Sequence, residues 1–220
     1  MQRRFWTIGK FERWPDRAAL GQKQTYLIMT KFLAIDLSSG IPGPEARPEH
    51  ADLQRLRKDP KYGVNRGRAC EATWGMVRVT VLDDRERAQG LTDFMLTVPF
   101  WIVSRRFVAL LRSYDSACEY LPLECTYRKK SLPDEFFALN VLNVERSAAD
   151  IERSEFDRRH LELGLMMDVE KLVLKDDPIG RAPIAFLGQI GQIAVCDDLA
   201  RDIAATLVGV RLVKPEAYIS

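Results

Sequence analysis

The chain has 220 residues, 46% hydrophobic and 29% charged, with 33 Lys and Arg against 31 Asp and Glu. A chain of this length buries roughly 70% of the surface its unfolded form exposes, so it can build a core without metal or disulfide support, and its composition excludes disorder as a whole. The near-neutral total hides a division: residues 1–70 carry 14 basic and 7 acidic side chains, net +7, and residues 71–220 carry 19 and 24, net −5.

With only His50 and His160, zinc sites built from several imidazoles are excluded, and neither a metal nor a cofactor is expected. Cys70, Cys118, Cys125 and Cys196 form no C-x-x-C and read as ordinary thiols of a reducing compartment. No run approaches 18 uninterrupted apolar residues, and the opening MQRRFWTIGK leads to Glu12 and Arg13 rather than to a secretory core. The expectation is a cytoplasmic protein with no membrane role.

In chain order, the first apolar stretches lie at 26–28 and 32–35, with an ambiguous period. Residues 38–70 read as a long surface connection, interrupted by Gly40, Pro42, Gly43, Pro44 and Pro48 and carrying a short helix near 51–58. Val77, Val79 and Val81 alternate with Arg78 and Thr80, a strand with one buried face. Ser104 then caps a helix whose Phe107, Leu110, Leu111 and Tyr114 share one side, while Phe94, Phe100 and Trp101 before it read as core or lid rather than a binding platform. A strand follows over 119–128, with Pro122 favouring an edge or a bulge, and FFALNVLNV reads as a central strand.

VEKLVLKDD has no polar face, which burial on both sides would explain. The last unit, from APIAFLGQIGQIAVCDDLARD onward, reads strand, glycine turn, strand, helix, strand. In it Asp197 or Asp198 caps the helix and Gly209 ends it. The fold class is α+β, with mixed and mainly antiparallel sheet elements packed against at least two helices. Residues 1–70 form an amino-terminal extension and residues 71–220 the main domain.

Motifs for catalysis are sparse. There is no phosphate-binding loop and no G-x-S-x-G, and FLGQIGQI fits a hairpin turn better than an RNA-clamping loop. Asp157 and His160, three apart and close to Ser154, are the one constellation a hydrolase could use, and such a pair is common by chance. The adjacent acids at 83–84, 134–135, 176–177 and 197–198 lie at element boundaries and read as turns and caps. Arg3, Arg4, Lys10, Arg13, Arg17, Lys23 and Lys31, mixed with Phe5, Trp6, Phe11, Trp14 and Tyr26, are compatible with a nucleic-acid module. Packing of those aromatics on the main body explains them equally well, and the near-neutral total argues against nucleic acid.

Three blocks, VPFWIVSRRFVALLRS, FFALNVLNVERSAADIERSEF and IAFLGQIGQIAVCDDLARDIAATLVGVRLVKP, stand in an order and spacing that resembles the immunity-11 family, small bacterial proteins of polymorphic-toxin systems. On that resemblance Ser104 lies at a strand end before an amphipathic helix, and Asn140 and Asn143 fall near an asparagine-bearing strand. Asp150, Glu152, Arg153 and Ser154 lie on a polar D-x-x-x-S portion, Phe186 precedes the final glycine turn, and Gly209 follows the last helix. Cys196 and Val208 depart from the family's common serine and threonine.

The resemblance implies a non-catalytic protein that binds and neutralises a cognate toxin. The expected contact residues are Asp150, Glu152, Arg153, Ser154, Asp157 and His160, with Ser104, Asp197, Asp198 and Gly209 structural. A homo-oligomer is compatible with the sequence.

Overall fold

The computed structural model describes residues 31–34, 45–58, 64–82, 91–97 and 99–218. The basic and aromatic residues from Arg3 to Tyr26, and Asp83 with Asp84, lie outside the described residues.

A short strand β1 (Lys31–Ala34) is followed by β2 (Glu45–Pro48) and α1 (His50–Lys58). The Pro- and Gly-rich connection thus holds the expected helix and also a strand that its composition does not announce. The Asp52 carboxylate ties α1 to the next strand by accepting from the Arg78 N–H at 3.0 Å. A single helical turn, α2 (Glu71–Trp74), buries Trp74 completely, edge-on to Phe100 at 5.5 Å, with its indole N–H donating to the Pro122 carbonyl at 3.0 Å. In β3 (Val77–Leu82), Val77, Val79 and Val81 are buried and the residues between are exposed, the alternation expected.

After β4 (Phe94–Leu96) and β5 (Trp101–Ser104) comes α3 (Arg105–Ser113). Ser104 caps it, accepting from the Phe107 N–H at 3.2 Å, and Phe107, Val108 and Leu111 are buried. The long strand β6 (Cys118–Tyr127) pairs with β8 (Phe136–Val141) through Pro122 and with β3 from Leu123 onward. Pro122 has no N–H to offer and sits at this hand-over, so an interior strand tolerates it. Between β7 (Lys130–Leu132) and β8 the chain takes two more residues than β6 does opposite, a bulge in which Asp134 has φ 54°.

The remaining elements are β9 (Val144–Glu145), β10 (Glu155–Asp157), a 3-10 helix (Arg158–Leu163), β11 (Met167–Lys171), β12 (Ile184–Leu187), β13 (Gln192–Val195), α4 (Asp197–Thr206) and β14 (Arg211–Val213). The larger sheet has the order β2-β3-β6-β8-β5-β4, with β7 also on β6, and the smaller β14-β1-β13-β12-β9. β10 and β11 form a separate ribbon. The pairs β3–β6 and β9–β12 are parallel and the other strand pairs antiparallel, so the fold is the mixed, mainly antiparallel α+β arrangement expected.

Among the described residues, period-two alternation separates three apolar cores. In the larger sheet Ile102, Leu121 and Ala138 face Trp74 and β3, while Val103 and Leu139 face Phe107 and Leu111 of α3. In the smaller sheet Ile184, Ile193 and Val195 join that second core with Leu199 and Ile203 of α4, and Ala185, Leu187 and Ala194 face a third core containing Val169 and Leu172. The ribbon therefore lies on the face of the smaller sheet opposite α3 and α4.

Three local expectations are corrected. Cys196, not Asp197 or Asp198, occupies the cap of α4; it is extended at φ −71° and makes no side-chain capping bond, and the two aspartates fill the first turn, where a helix dipole favours them. Gly209 does not end the helix, which closes at an extended Leu207. Gly209 turns the chain toward β14 at φ +72° against the side chain of Thr92. VEKLVLKDD is not doubly buried: within β11 only Val169 is buried.

Candidate partner-binding site

Five of the six expected contact residues are gathered at the surface of one region, the turn and ribbon that run from Ala149 to Leu174. The two ends meet at an Ala149–Leu174 bridge, reinforced by the Asp150 N–H donating to the Val173 carbonyl at 2.8 Å. Asp150 shapes the turn, its Oδ1 accepting from the N–H groups of Glu152 and Arg153 at 3.2 Å each. Ser154 is buried, and its hydroxyl accepts from the Val173 N–H at 3.0 Å and donates to the Val173 carbonyl at 3.2 Å. It holds the ribbon's base and does not face solvent.

Asp157 caps the 3-10 helix by accepting from the Arg159 N–H at 2.9 Å, and its other oxygen takes the Arg159 guanidinium. The side-chain bond from Arg159, then the backbone bond, hold the Asp157 carboxyl below the usual carboxylate range. His160 is exposed and its side chain bonds to neither Ser154 nor Asp157. Ser154 and Asp157 are thus committed elsewhere, and the geometry of an activated serine is not assembled. Among the described residues no group of three or more His, Cys, Asp and Glu is placed to hold a metal ion.

The sequence does not reveal what seats the ribbon. Gln189, in the glycine turn between β12 and β13, accepts from the Ala149 N–H through its side-chain Oε1 at 3.0 Å and from the Met166 N–H through its carbonyl at 2.7 Å. One turn residue thereby grips both arms. The only advance signal is the G-x-x-G turn itself.

Two buried polar nodes are also invisible to local pattern. Asn140, fully buried in β8, accepts from the Asn65 N–H at 2.6 Å and donates to Glu119 at 2.7 Å and to the Arg68 carbonyl at 2.9 Å. Glu119 in turn accepts from the Cys70 N–H at 2.8 Å; burial first, then the charge of Glu119, push the Cys70 thiol up to about 12. Asp93 accepts from Ser104, Arg106 and the Val208 N–H. Burial raises its carboxyl, but those bonds and the Arg106 charge outweigh burial and hold it below the usual value. Both nodes are satisfied internally and hold elements together.

A family model described as Immunity protein family (Imm11) matches residues 11–212. The chain belongs to that family. The match reaches back well beyond the three carboxy-terminal blocks of the sequence resemblance and takes in α1 together with β1, a strand of the smaller sheet, and β2, a strand of the larger. A comparison with curated proteins returns no match. Among the described residues, no helix of this Imm11 member is long and apolar enough to cross a membrane.

Proposed function

We propose that this protein is a non-catalytic immunity protein that binds and neutralises a cognate bacterial toxin or effector in the cytoplasm, using the region from Asp150 to His160. The observation that carries the reading is the family match over residues 11–212. Inhibition by binding needs a stable scaffold and a patch of roughly 800 Å² per side, with no nucleophile. Glu152, Arg153 and His160 are exposed on the ribbon and available to a partner, Asp150 and Asp157 hold its turns, and Ser154 fixes its base. The excess of acid over base after residue 70 favours a toxin with a basic face.

The test is co-purification with the product of the toxin-like gene beside its own, together with rescue of the growth arrest which that product causes. Association and rescue are expected. Neither one, across the neighbouring toxin-like genes, overturns the reading. Glu152→Lys with His160→Glu, both at exposed positions, weakens binding without moving the unfolding midpoint if the ribbon is the contact.

A further inference from the structure

Among the described residues the large apolar side chains that stay exposed are Met76, Leu82, Leu163, Leu165, Met167 and Val208, and half of these fall within one five-residue stretch of the ribbon region. Leu163, Leu165 and Met167 are 69%, 40% and 47% exposed, with Met166 buried between the last two. Isolated exposed leucines are ordinary surface; three on one short segment form a patch.

The segment is held in shape. Gly164, at φ +73°, closes the 3-10 helix by donating to the Leu161 carbonyl at 2.9 Å, and the Leu165 N–H donates to the His160 carbonyl at 3.2 Å, the paired bonds of a Schellman turn. The Met166 N–H is fixed on Gln189 at 2.7 Å. A side chain carried by backbone already ordered loses less entropy on binding than one carried by a loose loop.

The charges around the patch select its occupant. Arg153, Arg159 and Lys171 pair within the ribbon with Asp150, Asp157 and Glu155. On the segment itself Glu162, Asp168 and Glu170 are exposed and enter no ion pair among the described residues, against one exposed cation outside those pairs, Arg158, which lies over the Phe156 ring at 5.7 Å. An acidic rim repels a nucleic-acid backbone or an anionic membrane, and against a second copy of this chain it would set glutamates against glutamates. It fits a protein surface carrying Lys and Arg.

We infer that Leu163, Leu165 and Met167 form a preordered apolar anchor that enters an apolar pocket bordered by basic residues on the toxin. The inference rests on the toxin-binding reading and names the part of the ribbon on which affinity depends. Buried apolar anchors dominate protein interfaces and rim charges set association rate.

The experiment measures binding kinetics of the full chain to the purified product of the adjacent toxin-like gene. Leu163→Ser combined with Leu165→Ser raises Kd by roughly 100-fold, mainly through faster dissociation; Leu163→Ser alone, at a position 69% exposed, weakens binding with the unfolding midpoint unchanged, while Leu165, 40% exposed, adds a small loss of stability. Glu162→Lys combined with Glu170→Lys slows association by about tenfold and weakens its dependence on salt. Met76→Ser, exposed outside the ribbon, leaves Kd unchanged. Wild-type affinity in the leucine variant, with the wild type binding the toxin, overturns the anchor and leaves the immunity reading standing. No binding by the wild type to any neighbouring toxin overturns both. Self-association of the wild type that the leucine variant loses assigns the patch to a second copy and overturns the inference.

Discussion

Asp93 and Val208 stand 115 positions apart and are joined by a reciprocal pair of hydrogen bonds: the Asp93 N–H donates to the Val208 carbonyl at 2.9 Å, and the Val208 N–H donates to Asp93 Oδ2 at 2.7 Å. The same carboxylate takes the Ser104 hydroxyl and the Arg106 guanidinium. One buried acid therefore closes the passage from α4 to β14 onto the start of α3. Because the carboxylate has a donor at every turn, its burial is tolerated.

Asp93→Asn keeps the size and replaces two acceptors with an acceptor and a donor that faces other donors. A loss of about 2 kcal/mol at pH 7 is expected from breaking buried charge-assisted bonds. The folded carboxyl lies below its ordinary value of 3.8, so its contribution is complete above that value and falls as pH drops through the folded value. Urea unfolding of both proteins from pH 7 downward checks this: the gap stays constant to about pH 5 and narrows below 3.8. A gap that widens on acidification contradicts the assignment.

Gly209→Ala is expected to be costlier than alanine at Gly191, although both glycines have positive φ. At Gly191 an added Cβ meets nothing within 4 Å, which leaves only the left-handed backbone cost of about 1 kcal/mol. At Gly209 it would lie 2.5 Å from Thr92 Cβ and closer still to Cγ2, and Thr92 is buried with its hydroxyl donating to the Phe94 carbonyl. A total of roughly 3 kcal/mol follows when overpacking is added to the backbone strain. Denaturant midpoints of the two variants, side by side, separate the clash from the strain.

What could be read in advance was local. Ser104 precedes an amphipathic stretch and bonds a residue three positions on, and Val77, Val79 and Val81 report one buried face by their spacing. The hairpin at Gly191 and the order of the last strands and helix were legible for the same reason. Asp93, Gln189 and Asn140 were not, since their partners come from distant chain and no period records such pairings. The cap of α4 went to Cys196 because the backbone turns there, although polarity favoured either aspartate beside it. The turn Arg128–Lys129 has φ 49° and 63°, where Asn-Gly is the usual pair, so residue preference gave no warning of a tight hairpin. In the ribbon the leucines and methionine are apolar and exposed, so hydrophobicity there does not report burial. Breaks in patterning of this kind are expected at functional or strained sites.

Asn140→Asp tests the node on β8. The side-chain amide donates to Glu119 at 2.7 Å, and replacing it with a carboxylate sets two acids in contact beside the buried Asn65 and Cys70. Like charges this close are relieved by taking up one proton, which raises the pair's proton affinity in the folded state. The sign follows: destabilisation is largest at pH 7, about 3 kcal/mol or more for an unpaired buried charge, and shrinks as pH falls toward 5. Asn140→Ala lacks the second charge and shows no such recovery. Thermal melts of both variants at pH 5 and pH 7 distinguish them.

Ser154→Ala separates a positioning role from direct contact. The hydroxyl is buried and is the acceptor for the Val173 N–H as well as a donor to the Val173 carbonyl, so its loss leaves an amide at the ribbon's base without that partner. A cost of about 1–2 kcal/mol is expected for an unsatisfied backbone group. Toxin affinity measured well below the new melting temperature should change by less than about threefold, because the side chain reaches no solvent and the exposed anchor sits on the other arm, still held by Gln189. Loss of affinity with an unchanged melting temperature would instead make Ser154 a contact residue. A hydrolytic activity that Ser154→Ala abolishes would restore the enzyme reading, and would require both the serine and Asp157 to leave the partners they hold in this fold.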